Sequence, residues 1–391
     1  MQTGSNELIR DINSRLVLET ILQNGSISRA DISKKLGLTR ATISAITEDL
    51  NQQNLICEAG SAASSQGRKA ILFQIRQEQA FHICINLTQN IIAIMCADLL
   101  GSHQEFFEYP AAASRDKILP ALISYIENAL KSFRGPGRLA RICIAVHGTV
   151  YRNEITFCPY SPYENLPFSD VLSNRFHVPV LLENEANLCA LGEHTFCSHK
   201  SSMIMVSIHS GIGVGIMIQD QLFLGYNGKA GEFGHSIVQR NGRPCPCGNR
   251  GCLEQYASEQ AVVQDYCDLA GLASSSVENF ISACLDGSPK ALEILYQFEE
   301  FMVICINNLL NLFNPEVIVL NCRITSQIPD CIKRISLGLK TRMKEHCTLL
   351  PSMLQDKAVL LGGICLCTKD YLGIQRLDLT GHYTKKEGPG I

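Results

Sequence analysis

Apolar side chains between residues 15 and 51 recur at helical spacing. Leu16, Leu18, Ile21 and Leu22 share one helix that stops at Asn24-Gly25, Ile32 and Leu36 mark a second, and Ile43, Ile46 and Leu50 a third. Ser28 and Thr39 stand where N-caps belong, and Gly37 supplies the tight turn between the second and third helices. The pattern then becomes strand-like. Residues 55–58 and 70–75 read as short strands around a small, polar tip that carries Arg68 and Lys69. From Phe81 onward strand-like and helical runs alternate. HICINLT and IIAIMCADL read as paired strands, KILPALISYIENALKSF as an amphipathic helix and RICIAVHG as a buried strand. SMIMVSIHSGIGVGIMI reads as two strands around a glycine-rich turn, and VIVL at 317–320 as a further core strand. This alternation predicts α/β lobes with mixed or parallel sheets. FMVICINNLLNLF has no polar face and predicts a well-buried helix. No repeat of fixed short period is visible.

Helix, glycine turn, helix and basic wing in that order predict a winged helix-turn-helix. Thr39, Arg40, Thr42 and Ser44 would meet base edges at the start of the third helix, with Arg68 and Lys69 against phosphates or in the minor groove. Charge changes this little. Residues 1–80 carry nine Lys/Arg against eight Asp/Glu, and the remainder of the chain supplies the rest of a net −3. A wholly basic nucleic-acid coat protein is excluded; one small DNA-reading module is not. The length of 391 residues suits two or three domains. No apolar run follows MQTGSNELIR as in a secretory signal, and the longest apolar stretch is interrupted by Asn86, Gln89 and Asn90, so no membrane insertion is expected. Most of the eighteen cysteines, among them Cys84, Cys96, Cys143 and Cys305, sit singly in apolar runs as small hydrophobes, which fits a reducing cytoplasm.

The exception is GEFGHSIVQRNGRPCPCGNRGCLE, residues 231–254. His235, Cys245, Cys247 and Cys252 form a Cys₃His set suited to tetrahedral Zn²⁺ in a closed, structural site, and the glycines at 248 and 251 let the loop fold back on itself. Three free thiols so close together would otherwise be an oxidation liability. Such a knot would fix Glu232 and Glu254 on rigid backbone, facing one cleft. Paired carboxylates accept hydrogen bonds from vicinal hydroxyls, and a His235 bound to metal through one nitrogen keeps its other N–H for a ligand, so the segment points to a sugar.

GEFGH followed by CPCGNRGCLE, with LLENEANLCALGE at 181–193, resembles the signature of the ROK family of repressors, open reading frames and sugar kinases, and in particular its xylose and N-acetylglucosamine repressor branch. The resemblance implies a two-lobed, actin-like sugar-kinase fold behind a winged helix. It implies sugar contacts at Asn184, Glu185, Glu232, His235 and Glu254, and zinc ligands at His235, Cys245, Cys247 and Cys252. The expected domains are 1–77 for DNA binding, 78–183 plus about 365–391 for one lobe, and 184–364 for the second lobe with the knot and a dimerisation surface. The family's kinases open their catalytic lobe with Asp-x-Gly-Gly-Thr; here INLTQN puts Asn86 in place of the acid and has no glycine. Asn321, Cys322 and Arg323 stand where adenosine-side glycines are expected, and Glu185 stands where the catalytic aspartate is usual. The expectation is a sugar-responsive transcriptional repressor, not an enzyme, with an ATP-dependent sugar kinase as the alternative. Expected partners are palindromic operator DNA, a small sugar effector and a second copy of the chain in a homodimer or dimer of dimers, with a sugar-permease protein as a further candidate.

Overall fold

The computed structural model describes residues 6–61, 70–112, 114–158, 161–197 and 200–380. The N-terminal head comprises α1 (Asn6–Asn24), β1 (Ile27–Ser28), α2 (Arg29–Leu36), α3 (Arg40–Gln52), β2 (Ile56–Ser61) and β3 (Ile71–Ile75). Its helices begin where the sequence offers oxygen caps: Ser28 Oγ accepts from Asp31 N (3.2 Å) and Thr39 Oγ1 from Thr42 N (3.1 Å). Gly37 ends α2 with φ 67°, the left-handed conformation that permits the tight turn into α3. β3 pairs antiparallel with both β1 and β2, which makes the winged helix-turn-helix. One expectation fails here. Leu16 is 39% exposed, and Val17 takes its place in the core beside Leu18, Ile21 and Leu22. Arg68 and Lys69 lie outside the described residues.

The first lobe contains β4 (Ala80–Leu87), β5 (Ile91–Asp98), β6 (Glu105–Pro110), α4 (Ile118–Ser132), β7 (Arg138–Val146), the hairpin β8 (Thr149–Tyr151) and β9 (Glu154–Phe157), α5 (Phe168–Phe176) and β10 (Val180–Asn184). Its sheet runs β10-β7-β4-β5-β6, with β4, β5 and β6 an antiparallel meander and β7 and β10 added in parallel. After α6 (Glu185–Phe196) come β11 (Ser202–Ile208), β12 (Ile212–Ile218) and β13 (Gln221–Leu222). The helices α7 (Glu254–Ala257), α8 (Glu259–Ala270), α9 (Val277–Leu285) and α10 (Pro289–Phe313) follow. The second lobe closes with β14 (Val317–Asn321), α11 (Arg323–Gln327), α12 (Cys331–Gly338) and β15 (Thr348–Pro351), and α13 (Lys357–Leu372) follows. Its sheet, β13-β12-β11-β14-β15, repeats the first: an antiparallel meander, then two parallel strands on the other side of the first strand. The molecule is thus a winged helix-turn-helix joined to the two-lobed actin-like architecture. Its duplication resides in strand order, where a search for short sequence periods does not register it.

Helices α6 and α13 form the layer between the sheets. α13 packs on β4 and β7, α6 packs on β11 and β12, and the two pack on each other. α13 crosses position 365 without a break. One continuous hydrophobic cluster runs from Val17, Ile21, Ile43 and Phe73 of the head into Leu188 and Leu191 of α6 and Leu361 and Ile364 of α13. Glu19 of α1 also accepts from the backbone N–H groups of Gln375 and Arg376, just beyond α13 (2.9 and 3.0 Å). The head is therefore seated on the layer that both lobes share. The cysteines at 84, 96, 143 and 305 are fully buried, as expected of small hydrophobes. α10 departs from expectation: Met302, Cys305, Ile306, Leu309 and Leu310 are buried, but Ile304 and Leu312 are 39% and 68% exposed.

His82, inside the same layer, is fully buried with neither ring nitrogen hydrogen-bonded to protein, and it meets the Tyr371 ring edge-on at 5.9 Å. Burial, with help from the nearby Arg141 charge, lowers its pKa to about 3. The unfolded chain, with an ordinary histidine near 6.5, then binds the extra proton first as pH falls. The pH-dependent cost of His82 is therefore absent well above pH 6.5 and grows progressively between pH 6.5 and 3, reaching about 2 kcal/mol at pH 5. His82→Leu is expected to remove that part of the acid sensitivity, seen as a flatter dependence of the urea midpoint on pH. An unchanged pH profile contradicts it.

Candidate functional site

The segment after β13 folds into a knot by short backbone contacts rather than regular structure. Ile237 bridges Cys252, Pro244 bridges Arg250, and Gly248 and Gly251 both take positive φ (96° and 84°). The fold-back brings one ligand atom each of His235, Cys245, Cys247 and Cys252 within 4.8 Å of one another. Cys247 Sγ lies 3.7 Å from Cys252 Sγ, and Cys245 Sγ 3.5 Å from His235 Nδ1. A tetrahedral site with metal–sulfur bonds of ~2.3 Å and metal–nitrogen bonds of ~2.0–2.1 Å has edges of about 3.8 Å between sulfurs and about 3.6 Å between sulfur and nitrogen. The four residues thus have the donor types and spacing of a metal cage.

His235 faces two ways. Its Nδ1 is on the cage side, 3.3 Å from Glu254 Oε1, while Nε2 lies 3.7 Å from Glu232 Oε2 in the cleft. All five expected sugar contacts, Asn184, Glu185, Glu232, His235 and Glu254, line this one cleft, whose cavity volume is about 90 Å³. They come from different elements: Asn184 and Glu185 from the β10–α6 junction, Glu232 and His235 from the start of the knot, Glu254 from its end at α7. Asn184 is largely committed already. Its Oδ1 caps α6 by accepting from Ala186 N and Asn187 N, and its Nδ2 donates to Gly148 O at 2.9 Å, leaving one N–H for a ligand. Glu185 is buried, and its Oε1 accepts from Ser207 Oγ (2.7 Å) and Cys189 Sγ (3.2 Å), with His209 Nε2 4.0 Å away. Burial pushes the Glu185 carboxyl up, but His147, His209 and these two donors outweigh it and hold the group below the usual carboxylate range. Glu232 is displaced the other way, chiefly by burial.

Several lining residues escaped the sequence reading. His209, Ser207, Ser210, Phe157, Ser161, Thr88 and Gln89 all face the cleft. His147 does too, and its Nε2 lies 3.1 Å from Asn86 Oδ1. Asn165 is not among the residues lining the cleft and occupies a left-handed turn position, φ 57°. The glycines of HSGIGVG also have a plain packing role. A Cβ on Gly215 would lie 2.2 Å from Ala186 O, and one on Gly213 2.8 Å from Ala186 Cβ, so they let α6 close directly onto β12.

At the other end of the molecule, α3 presents exposed Thr39, Arg40 and Ser44 and half-buried Thr42. Thr39 and Thr42 share a hydroxyl contact of 2.8 Å, so part of their polar capacity is spent on the cap. Arg29, over the Phe73 ring and bonded to Thr47, fastens α2 to α3 and the wing.

These features recur in known proteins. A model described as the ROK family matches residues 82–370, and one described as winged helix-turn-helix DNA-binding matches residues 10–56. The chain is 30% identical over 389 residues to the xylose repressor of Bacillus spizizenii, covering 96% of this chain and 100% of that one. It is 29% identical to the N-acetylglucosamine repressor of Escherichia coli O157:H7, over 93% and 97% of the two chains. A solved ROK family transcriptional regulator, a homolog of the E. coli MLC protein, superposes with a TM-score of 0.82 at 26% identity, over 93% of this chain and 97% of its own. A ROK family glucokinase from Streptomyces griseus, in complex with glucose and AMPPNP, shares the fold with a TM-score of 0.67 and 24% identity, over 73% of this chain and 98% of its own. With the family model spanning most of its length, this chain belongs to the ROK family.

Proposed function

We propose that the protein is a sugar-responsive transcriptional repressor of carbohydrate-metabolism genes. The observation that carries this reading is a polar, carboxylate-lined cleft in a protein whose DNA-reading head is packed on the layer between its lobes. The names of the similar repressors support it. In this reading the cage holds a structural Zn²⁺, which supplies no chemistry beyond fixing His235, Glu232 and Glu254. Glu232 and Glu254 accept from sugar hydroxyls, His235 Nε2 and the remaining Asn184 N–H donate, and Glu185 closes the floor. Thr39, Arg40, Thr42, Ser44, Arg68 and Lys69 contact a palindromic operator from two copies of the chain, in a homodimer or dimer of dimers. A protein acting on operator DNA in this way would work in the cytoplasm, and a sugar-permease protein is a second candidate source of control. A sugar that fits one lobe arrangement better than the other shifts the α6–α13 layer and with it the head; a differential of roughly 1–3 kcal/mol is typical of such coupling.

The kinase alternative has the shared fold in its favour. Against it, Thr88 closes the β4–β5 turn on Ile91, with Thr88 N donating to Ile91 O (3.1 Å) and Ile91 N to Thr88 Oγ1 (3.2 Å). That takes up the Thr88 and Ile91 amides, two of the donors this turn has to offer a phosphate. Arg323, on the expected adenosine side, is held by the buried Glu259 through Nε and Nη2 (3.0 and 2.7 Å). Incubation with Mg-ATP and a panel of pentoses and hexoses is therefore expected to give no sugar-dependent ADP release. Turnover on the order of 1 s⁻¹, ordinary for an enzyme, would establish the kinase.

A further inference from the structure

We propose that the segment 374–380, which follows α13, is the strap through which the cleft governs the head, with Glu19 and Asp220 as its positioning residues. The inference rests on the sugar reading above and names the route by which that site acts. Gly373 ends α13 at φ 64°, and Ile374, Leu377 and Leu379 of the strap are buried. The strap is held by three parts of the molecule. Glu19 Oε1 accepts from Gln375 N and Arg376 N (2.9 and 3.0 Å), which ties it to α1 of the head. Leu379 N donates to Thr195 O (2.9 Å) near the end of α6. At the β12–β13 turn, Gln221 Nε2 donates to Gln375 O (3.3 Å), and Arg376 Nη2 lies 3.9 Å from Asp220 Oδ2. Asp220 Oδ1 in turn lies 3.3 Å from His194 Nε2, so the turn and the end of α6 meet the strap as one unit.

Both elements that reach the strap begin in the cleft. α6 starts at Glu185 beside Asn184, β12 starts at Ile212 between Gly211 and Gly213, and all five residues line the cavity. With 12 residues in α6 and 7 in β12, each spans roughly 20 Å from cleft to strap. Gly213 and Gly215 let the two lie in direct contact, and a close-packed helix and strand transmit a displacement rather than absorb it. On the head side, the apolar contact with the shared layer is non-directional and tolerates sliding. A carboxylate that accepts from two successive N–H groups does not, so Glu19 fixes where α1 sits on the strap.

Fluorescence anisotropy of the full-length, metal-loaded protein on DNA from upstream of its own gene tests this, with and without xylose, glucose, N-acetylglucosamine or glucosamine. Calorimetry gives the sugar affinity of each variant. Glu19→Ala is expected to bind the effective sugar within about threefold of the parent, while the sugar-induced change in DNA affinity falls from at least about fivefold to less than about twofold. Glu19→Gln keeps an acceptor oxygen and is expected to retain most of that change. A merely structural role for Glu19 would lower the thermal midpoint and leave the change in DNA affinity where it was. Gln221→Ala combined with Arg376→Ala frees the strap at its other end, through exposed side chains, and is expected to lose the response in the same way. This second variant decides alone where Glu19→Ala fails to fold or to bind DNA. A parental response in a folded variant of either kind overturns the proposal while leaving the sugar reading intact. A parent protein whose DNA affinity none of these sugars alters overturns the sugar reading itself, and the proposal with it.

Discussion

Cys252→Ser is expected to yield protein without stoichiometric zinc and with a thermal midpoint lower by about 10 °C. Cys252 is fully inaccessible, bridges Ile237 in the knot and places its sulfur 3.7 Å from that of Cys247. Serine at neutral pH offers no anionic ligand, so a closed tetrahedral site loses a quarter of its coordination along with the charge that favours Zn²⁺. Structural zinc in isolated fingers is worth on the order of 10–16 kcal/mol of apparent binding. Here the surrounding lobe folds around its own core, so only the ordering of the knot is at stake. A loss of about 3–5 kcal/mol, as in other disrupted buried networks, corresponds to roughly 10 °C for a domain of this size. Metal analysis of the purified variant alongside calorimetry checks both parts. Zinc retained at one per chain would show that the cage is not what holds the ion.

Glu232→Gln separates the two ends of the molecule. Its carboxylate is half-buried in the cleft, within 3.7 Å of His235 Nε2, and α3 is built from a different part of the chain. Exchange of carboxylate for amide removes a charged acceptor while keeping shape, which costs about 2–3 kcal/mol of ligand affinity, or 30–150-fold. The sugar concentration needed to change DNA binding is expected to rise by that factor, with basal operator affinity within about twofold of the parent. If DNA affinity collapses as well, Glu232 is holding the fold and not reading the ligand.

The head and the knot were legible because their chemistry is local. Ser28, Gly37 and Thr39 are each required by the turn they occupy, and His235 with Cys245, Cys247 and Cys252 sits on one short segment. Glu232 and Glu254 flank that segment, so their shared cleft follows from the same knot. Helix faces were less secure. Leu16 and Val17 are both apolar neighbours on α1, and only the packing of α2 and β3 decides which is buried. α10 carries apolar residues all round, so nothing in its spacing foretold that Ile304 and Leu312 would face outward. Ser207 and His209 were missed because HSGIGVG reads as a glycine-rich turn between two strands, a pattern that does not say what its polar residues face; Gly213 and Gly215 are needed to let α6 approach β12, and the polar residues beside them line the cleft.

Fluorescence anisotropy of the full-length protein on DNA from upstream of its own gene, titrated with pentoses, hexoses and amino sugars at fixed salt, reaches the central claim most directly. Binding of the DNA is expected in the absence of sugar, and one sugar is expected to shift its affinity by at least about fivefold, the lower end of ordinary allosteric coupling. DNA affinity that no sugar alters, in a protein that binds the same sugars in calorimetry, would contradict a cleft that governs the head.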